Sequence, residues 1–191
     1  MPALLPLTYL GQAVFAAFVT GLLIMMLRRP AERWRLVDLP GGRKRHAAPV
    51  AVTGGVAMTA ATLLALAVSF SAFGEYAAFF IGVVVLALTG LLDDLGEVSA
   101  GTKMLVQILA AVLMTSGGAN FLVNLGNLFS TDPINTRLWA IPLTVFATVA
   151  VINAINMFDG LDGLAGSLSI VMLAFFAAFA LLIGDLNAAK I

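Results

Sequence analysis

The sequence predicts an all-α, polytopic membrane protein with about six transmembrane helices, on three observations. Of its 191 residues 61% are hydrophobic and 10% charged, and mean hydropathy is +1.06; soluble domains carry roughly 45–50% apolar and ~25% charged residues. The apolar residues come in charge-free runs near the ~20 residues that a helix needs to cross a bilayer. The charges gather between those runs. Such a composition excludes a soluble enzyme, a disordered tail and a nucleic-acid binder. Ten basic and ten acidic side chains cancel, so only the placement of charge informs. With no cysteine, disulfides, thiolate metal sites and a cysteine nucleophile are all ruled out.

The first span is Leu7 to Leu27, ending at Arg28-Arg29-Pro30. Nothing basic precedes Arg28, and bulky Met25, Met26 and Leu27 stand where a signal peptide would place small residues, so the helix is read as retained. Charge is absent again from Ala47 to Gly74, which holds a second span centred near Leu63. Glu75 marks a tight turn. Tyr76 to Leu92 forms the third span and runs directly into Asp93-Asp94. Lys103 opens a short fourth span, Met104 to about Ser116, where Gly117-Gly118 weakens the helix. Ala119 to Arg137 reads as a loop, Leu138 to Met157 as the fifth span and Leu164 to Ile183 as the sixth.

Lys and Arg in short loops set orientation. Residues 28–49 form a basic loop holding Arg28, Arg29, Arg33, Arg35, Arg43, Lys44 and Arg45, and Lys103 follows span three, against Arg137 and Lys190 on the other face. The eight-to-two bias puts that loop in the cytoplasm and the N-terminus outside. Alternation then brings Asp93, Asp94, Asp159 and Asp162 to cytoplasmic helix ends, a sorting that follows from the basic residues alone.

Two carboxylates at the C-terminal end of an apolar helix are disfavoured by the helix dipole, by each other and by nearby lipid. A divalent cation or a cationic substrate relieves that repulsion; a plain solvated membrane boundary is the alternative. In Asn153-Ala-Ile-Asn156-Met-Phe-Asp159-Gly160-Leu161-Asp162-Gly163, Asn153, Asn156 and Asp159 recur every three residues and form one polar stripe on a helix. Polar groups in apolar surroundings cost several kcal/mol unless they face a wet or protein-lined cavity. Capping of span six by Asp162 accounts for one of these residues only. Oxygen-rich clusters with neither Cys nor a neighbouring His suit Mg²⁺, which takes one or two carboxylates plus substrate phosphates. Arg43, Lys44 and Arg45 could hold those phosphates, or anchor to anionic headgroups at about 1 kcal/mol each. His46 is the only histidine, and a lone loop histidine is more often solvated than catalytic. Gly54-Gly55 suits close approach of a ligand or simple helix packing. Acids and bases meeting at one membrane face suit phosphoryl transfer between a nucleotide-linked donor and a lipid phosphate, driven by positioning and charge neutralisation.

At these residues the chain resembles the polyprenyl-phosphate N-acetylhexosamine-1-phosphate transferases of bacterial cell-envelope synthesis. Three segments carry the resemblance: Val37-Asp38-Leu39-Pro40 with Arg43-Lys44-Arg45-His46 up to Gly54-Gly55, then Leu92-Asp93-Asp94, then Asn153 to Gly166. The Arg-Lys-x-His loop looks like the undecaprenyl-phosphate N-acetylglucosamine-1-phosphate transferase branch. The resemblance implies UDP-N-acetylglucosamine as donor, undecaprenyl phosphate as acceptor, Mg²⁺ as cofactor, and UMP as a product. It makes Asp93, Asp94, Asp159 and Asp162 catalytic, with Asp93, Asp94 and Asp159 on the metal. Asp38, Arg43, Lys44, His46, Asn153 and Asn156 would bind substrate. The enzyme would lie in the bacterial inner membrane among its lipids, act on the cytoplasmic side in the first membrane step of a cell-envelope polysaccharide pathway, and form a homodimer.

Two departures stand out. Glu97 occupies the place of a third acid in some members, and the family's later Gly-Asp-x-Gly segment and histidine-rich loop have no counterpart. Gly184-Asp185 falls on the wrong face. The chain is therefore expected to be a single membrane domain over 1–191, the truncated N-terminal part of a longer transferase, and inactive alone. The alternative from another class is half of an ion or proton-coupled transporter, since intramembrane acids also mark ion pathways. A CDP-alcohol phosphotransferase ranks third, because its Ala-Arg after Asp-Gly is replaced here by Leu161-Asp162.

Overall fold

A computed structural model describes residues 5–34, 36–38, 50–69, 74, 76–96, 98–116, 121–127, 133–158 and 163–184. Among them are six α-helices: α1 (Leu5–Arg33), α2 (Gly54–Ser69), α3 (Ala77–Leu95), α4 (Ala100–Ser116), α5 (Ala140–Phe158) and α6 (Leu164–Ile183). By length and composition, α1, α3, α5 with its preceding turn, and α6 are long and apolar enough to cross a membrane, while α2 and α4 are shorter. The fold class is that of an all-α membrane protein.

Burial explains why. Among the described residues the buried apolar set is almost entirely alanine, with only Leu66 and Phe80 larger, whereas Phe18, Met25, Phe146, Phe175 and Leu182 are exposed. A soluble fold puts its large side chains inside. Here the small ones lie inside, the pattern of helices that adhere through close backbone approach while lipid covers the rest. Hydroxyls in the apolar helices are satisfied locally: Thr20, Thr59, Thr89 and Thr144 each donate to the carbonyl four residues back at 2.7–2.8 Å.

The chain divides into two compact units, one of residues 1–73 and 83–100, the other of 74–82 and 101–191. In the first, α1 and α2 form a hairpin. Thr53, Ala57, Ala61 and Ala65 recur every four residues and are all buried, so they form a single narrow stripe on α2. The basic segment between the two helices is closed at its neck by an antiparallel pair, β1 (Val37–Asp38) with β2 (Val50–Ala51), in the register Val37↔Ala51 and Asp38↔Val50. The Val52 N–H donates to the Leu36 carbonyl at 2.9 Å just beyond it. The helix α1 runs through Pro30 to Arg33. Arg28, Arg29 and Arg33 are therefore helical rather than part of the expected loop.

In the second unit, the start of α3 meets the end of α4 where Gly82 has no side chain; a Cβ there would lie 2.5 Å from Met114 Cγ. The segment after α4 is clipped to α5 rather than left as a plain loop. Asn124 bridges Asn135, Thr136 Oγ1 donates to the Leu122 carbonyl at 2.5 Å, and the Leu122 N–H donates to Thr144 Oγ1 at 2.8 Å. A 3₁₀ turn, Arg137–Trp139, leads into α5. The helix α6 starts after Gly163, which has φ +79° and accepts the Ser167 N–H at its carbonyl. Gly163 thus holds the N-cap position, without a side-chain cap. Asp162, expected from the sequence as the cap, lies outside the described residues.

Candidate functional site

The last turn of α3 carries Asp93 and Asp94 with no basic residue beside them in that turn, so the unfavourable dipole described above is a property of the helix itself. The two acids are placed differently. Asp93 is half-buried, and its Oδ1 accepts the Val98 N–H at 3.1 Å, which turns the chain after α3. Asp94 is exposed and sits on the wall of a cavity of about 170 Å³ between the start of α2 and the end of α3.

Gly55, Val56 and Thr59 line that cavity from α2, and Gly90, Leu91 and Asp94 from α3. The Thr59 hydroxyl donates to its own helix, at the Gly55 carbonyl. Asp94 is the one charged residue among those lining the space. A Cβ added at Gly54, Gly55 or Gly90 would meet nothing within 4 Å. Helix packing therefore gives no reason for these glycines, and the open volume they leave lies beside a carboxylate. Thr53, at the start of α2, is 2% exposed, and its hydroxyl has no hydrogen-bond partner among the described residues; it belongs to the alanine stripe rather than to the cavity wall.

A second polar group lies between α4 and α5. Asn153 Nδ2 donates to Gln107 Oε1 at 2.7 Å and to the Val149 carbonyl at 2.8 Å. This bond sets the N-terminal half of α4 beside the C-terminal half of α5. Asn156, one turn further along α5, is exposed. Gln107 was not among the residues expected from the sequence. Its signal was available: a lone amide in an apolar helix, four residues after Lys103 and hence on the same face.

The remaining expected residues are placed only in part or not at all. Asp38 is described in its backbone, paired with Val50 at the neck of the basic segment. Arg43, Lys44, Arg45, His46, Glu97, Asp159 and Asp162 lie outside the described residues. Among the described residues no three of His, Cys, Asp and Glu gather as a metal cluster.

Comparison with known proteins gives one family. The model of glycosyl transferase family 4 matches residues 76–191. The undecaprenyl-phosphate alpha-N-acetylglucosaminyl 1-phosphate transferase of Haemophilus influenzae is 33% identical over 138 residues, which is 72% of this chain and 39% of that protein. The enzyme of the same name from Salmonella typhi is 33% identical over 147 residues, 77% of this chain and 40% of its own length. That from Escherichia coli K12 is 31% identical over 134 residues, 70% and 36% of the two chains. The chain thus spans about 40% of the length of the curated relatives it matches. No solved structure matches it.

Proposed function

The chain belongs to glycosyl transferase family 4, and from that premise we propose that it serves the transfer of N-acetylglucosamine 1-phosphate from UDP-N-acetylglucosamine to undecaprenyl phosphate, with release of UMP. The observation that carries the reading is Asp94, a carboxylate beside an apolar cavity at the end of a membrane helix. A lipid phosphate has an apolar tail and an anionic head, and a divalent cation joins such a head to a carboxylate. The curated relatives bear the name of that activity.

Mg²⁺ fits the donor set, because carboxylate oxygens without thiols are what a hard cation takes. Asp94 and Asp93 would hold it, with Asp159 as the third carboxylate that the motif supplies. When bound, the cation neutralises phosphate charge and so lowers the barrier to displacement. Asp93 fixes the turn after α3 through Val98, and Asp94 faces the space where the acceptor head would lie. Asp162 and Asn156 would support nucleotide binding, while Arg43, Lys44, His46 and Asp38 would face substrate at the basic segment. The catalytic face is taken as cytoplasmic in the bacterial inner membrane, with the N-terminus outside and the protein a homodimer.

The test is release of UMP from UDP-N-acetylglucosamine by a full-length relative in membranes supplied with undecaprenyl phosphate. Release that needs Mg²⁺ and is lost when the acid matching Asp94 is changed to Asn supports the proposal. Cation flux in liposomes that ignores the sugar nucleotide, with no such release, would replace it by the transporter reading.

A further inference from the structure

We propose that the connection between α4 and α5 is a lipid-facing clip, sunk into the leaflet at that end of the two helices rather than standing in water. Its partner is the boundary between headgroups and acyl chains. Helix lengths point there first. The Asn153–Gln107 bond fixes a common level on α4 and α5. From that level α5 runs back about 20 Å to Ala140, while α4 runs on only about 14 Å to Ser116, at about 1.5 Å per residue. The helix α4 therefore stops about one turn below the start of α5. The apolar span of α5 reaches further still, through the 3₁₀ turn to Arg137.

Leu122 stands in the gap that α4 leaves. Its N–H donates to Thr144 Oγ1, and Thr144 itself donates to the Ala140 carbonyl, so non-helical chain lies against the opening of a membrane helix. Irregular backbone at that depth must have its polar groups paired. The Leu122 carbonyl accepts from the Thr136 hydroxyl, and the Val123 carbonyl accepts the Thr136 N–H. Further along, Leu125 N–H donates to the Ile134 carbonyl and Ile134 N–H to the Gly126 carbonyl, while Trp139 N–H donates to the Thr136 carbonyl.

With the backbone closed in this way, the side chains left outside are apolar. Leu138 is 93% exposed and Trp139 73%, and Leu122, Val123 and Ile141 are exposed with them. In water such a patch is a standing cost. It runs on into exposed Phe146, further along the spanning helix, so the same acyl chains cover both. Tryptophan is the residue that settles at this boundary. Arg137 is the one charged residue of the clip among the described residues, and its long stem lets the guanidinium reach lipid phosphates. Polar, exposed Asn127 marks the far end of the pairing.

Depth in liposomes decides the matter. Because the chain has no cysteine, Leu122→Cys, Leu138→Cys and Asn127→Cys can each carry a single spin label. Relaxation by oxygen, which enters lipid, is compared with relaxation by a water-soluble nickel chelate. Labels at positions 122 and 138 are expected to respond to oxygen and be shielded from nickel, and the label at 127 to be open to nickel. In Trp34→Phe, Trp139 is the one tryptophan left of two, and its fluorescence is expected to shift to shorter wavelength and be lost in lipids brominated near the headgroup. Nickel access at 122 and 138 equal to that at 127 makes the connection an aqueous loop and overturns the proposal. Shielding of both positions from nickel and oxygen alike means that protein, a second copy or another partner, covers the patch, and overturns it too. Should a cysteine variant fail to fold by circular dichroism, Trp139 decides: water-like emission that brominated lipid does not quench overturns the clip. None of these outcomes touches the transferase reading.

Discussion

Asp93 accepts the Val98 N–H at 3.1 Å, so one carboxylate of the acidic pair closes the chain after α3 while its neighbour Asp94 lines the cavity. Adjacent and chemically identical, the two are not interchangeable. In a full-length relative, Asn at the position matching Asp94 is expected to lower Mg²⁺-dependent UMP release by about 100-fold or more. Asp93→Ala is expected to cost about 1–2 kcal/mol of stability through the lost hydrogen bond. Asp93→Asn, whose amide oxygen can still accept, retains most of it. Activity of the relative and thermal unfolding of the two Asp93 variants separate the roles.

Filling the cavity from α2 tests its use. A Cβ at Gly55 meets nothing within 4 Å, so Gly55→Leu is expected to leave the fold intact. The same side chain occupies the space beside Asp94 and should abolish binding of undecaprenyl phosphate, read by native mass spectrometry of lipid-bound protein.

The buried Thr53 hydroxyl, without a partner among the described residues, is a cost that the fold carries. Thr53→Val keeps the shape and removes the unmet group. It is expected to raise stability by about 1 kcal/mol, measured as resistance to unfolding in detergent. A loss of stability would mean that the hydroxyl is bonded in the membrane.

At Gly82 the opposite holds. An added Cβ would stand 2.5 Å from Met114 Cγ and 3.4 Å from the Ala110 carbonyl, so Gly82→Ala is expected to destabilise by about 1–3 kcal/mol. Shortening the neighbour in Gly82→Ala with Met114→Ala should restore part of the loss, which a double-mutant cycle reads directly.

The absence of cysteine makes topology easy to measure. With the basic residues cytoplasmic, Ser99→Cys is expected to react with an impermeant maleimide only after cells are opened. Ile134→Cys is expected to react in intact spheroplasts. The reverse pattern inverts the protein in the membrane.

Charge-free runs made the long helices legible. The helix α6 spans Leu164–Ile183 as read from the sequence, because a glycine stands at each end of an uninterrupted apolar run. Position along the chain also made the acidic pair visible. What escaped depends on partners distant in sequence. Val37–Asp38 finds Val50–Ala51 only once α1 and α2 turn back on each other, and Thr136 finds Leu122 only when the segment after α4 folds onto α5. The charge-free run ends near Leu27, whereas α1 continues through Pro30 to Arg33, with one i→i−4 hydrogen bond lost at the proline. Gln107 was overlooked because one amide in a short helix carries no pattern of its own. Its meaning comes from Asn153.

The methyl-sized interior of the α1–α2 hairpin inverts the usual map of tolerance to mutation. Phenylalanine, leucine and methionine on the outside touch acyl chains that accept any similar shape, so genetic drift there should pass almost unnoticed. At Ala57 or Ala61, both fully shielded, even one extra ethyl group would wedge the backbones apart. A saturation scan of this protein would thus show its largest residues as the most replaceable and its smallest as the least.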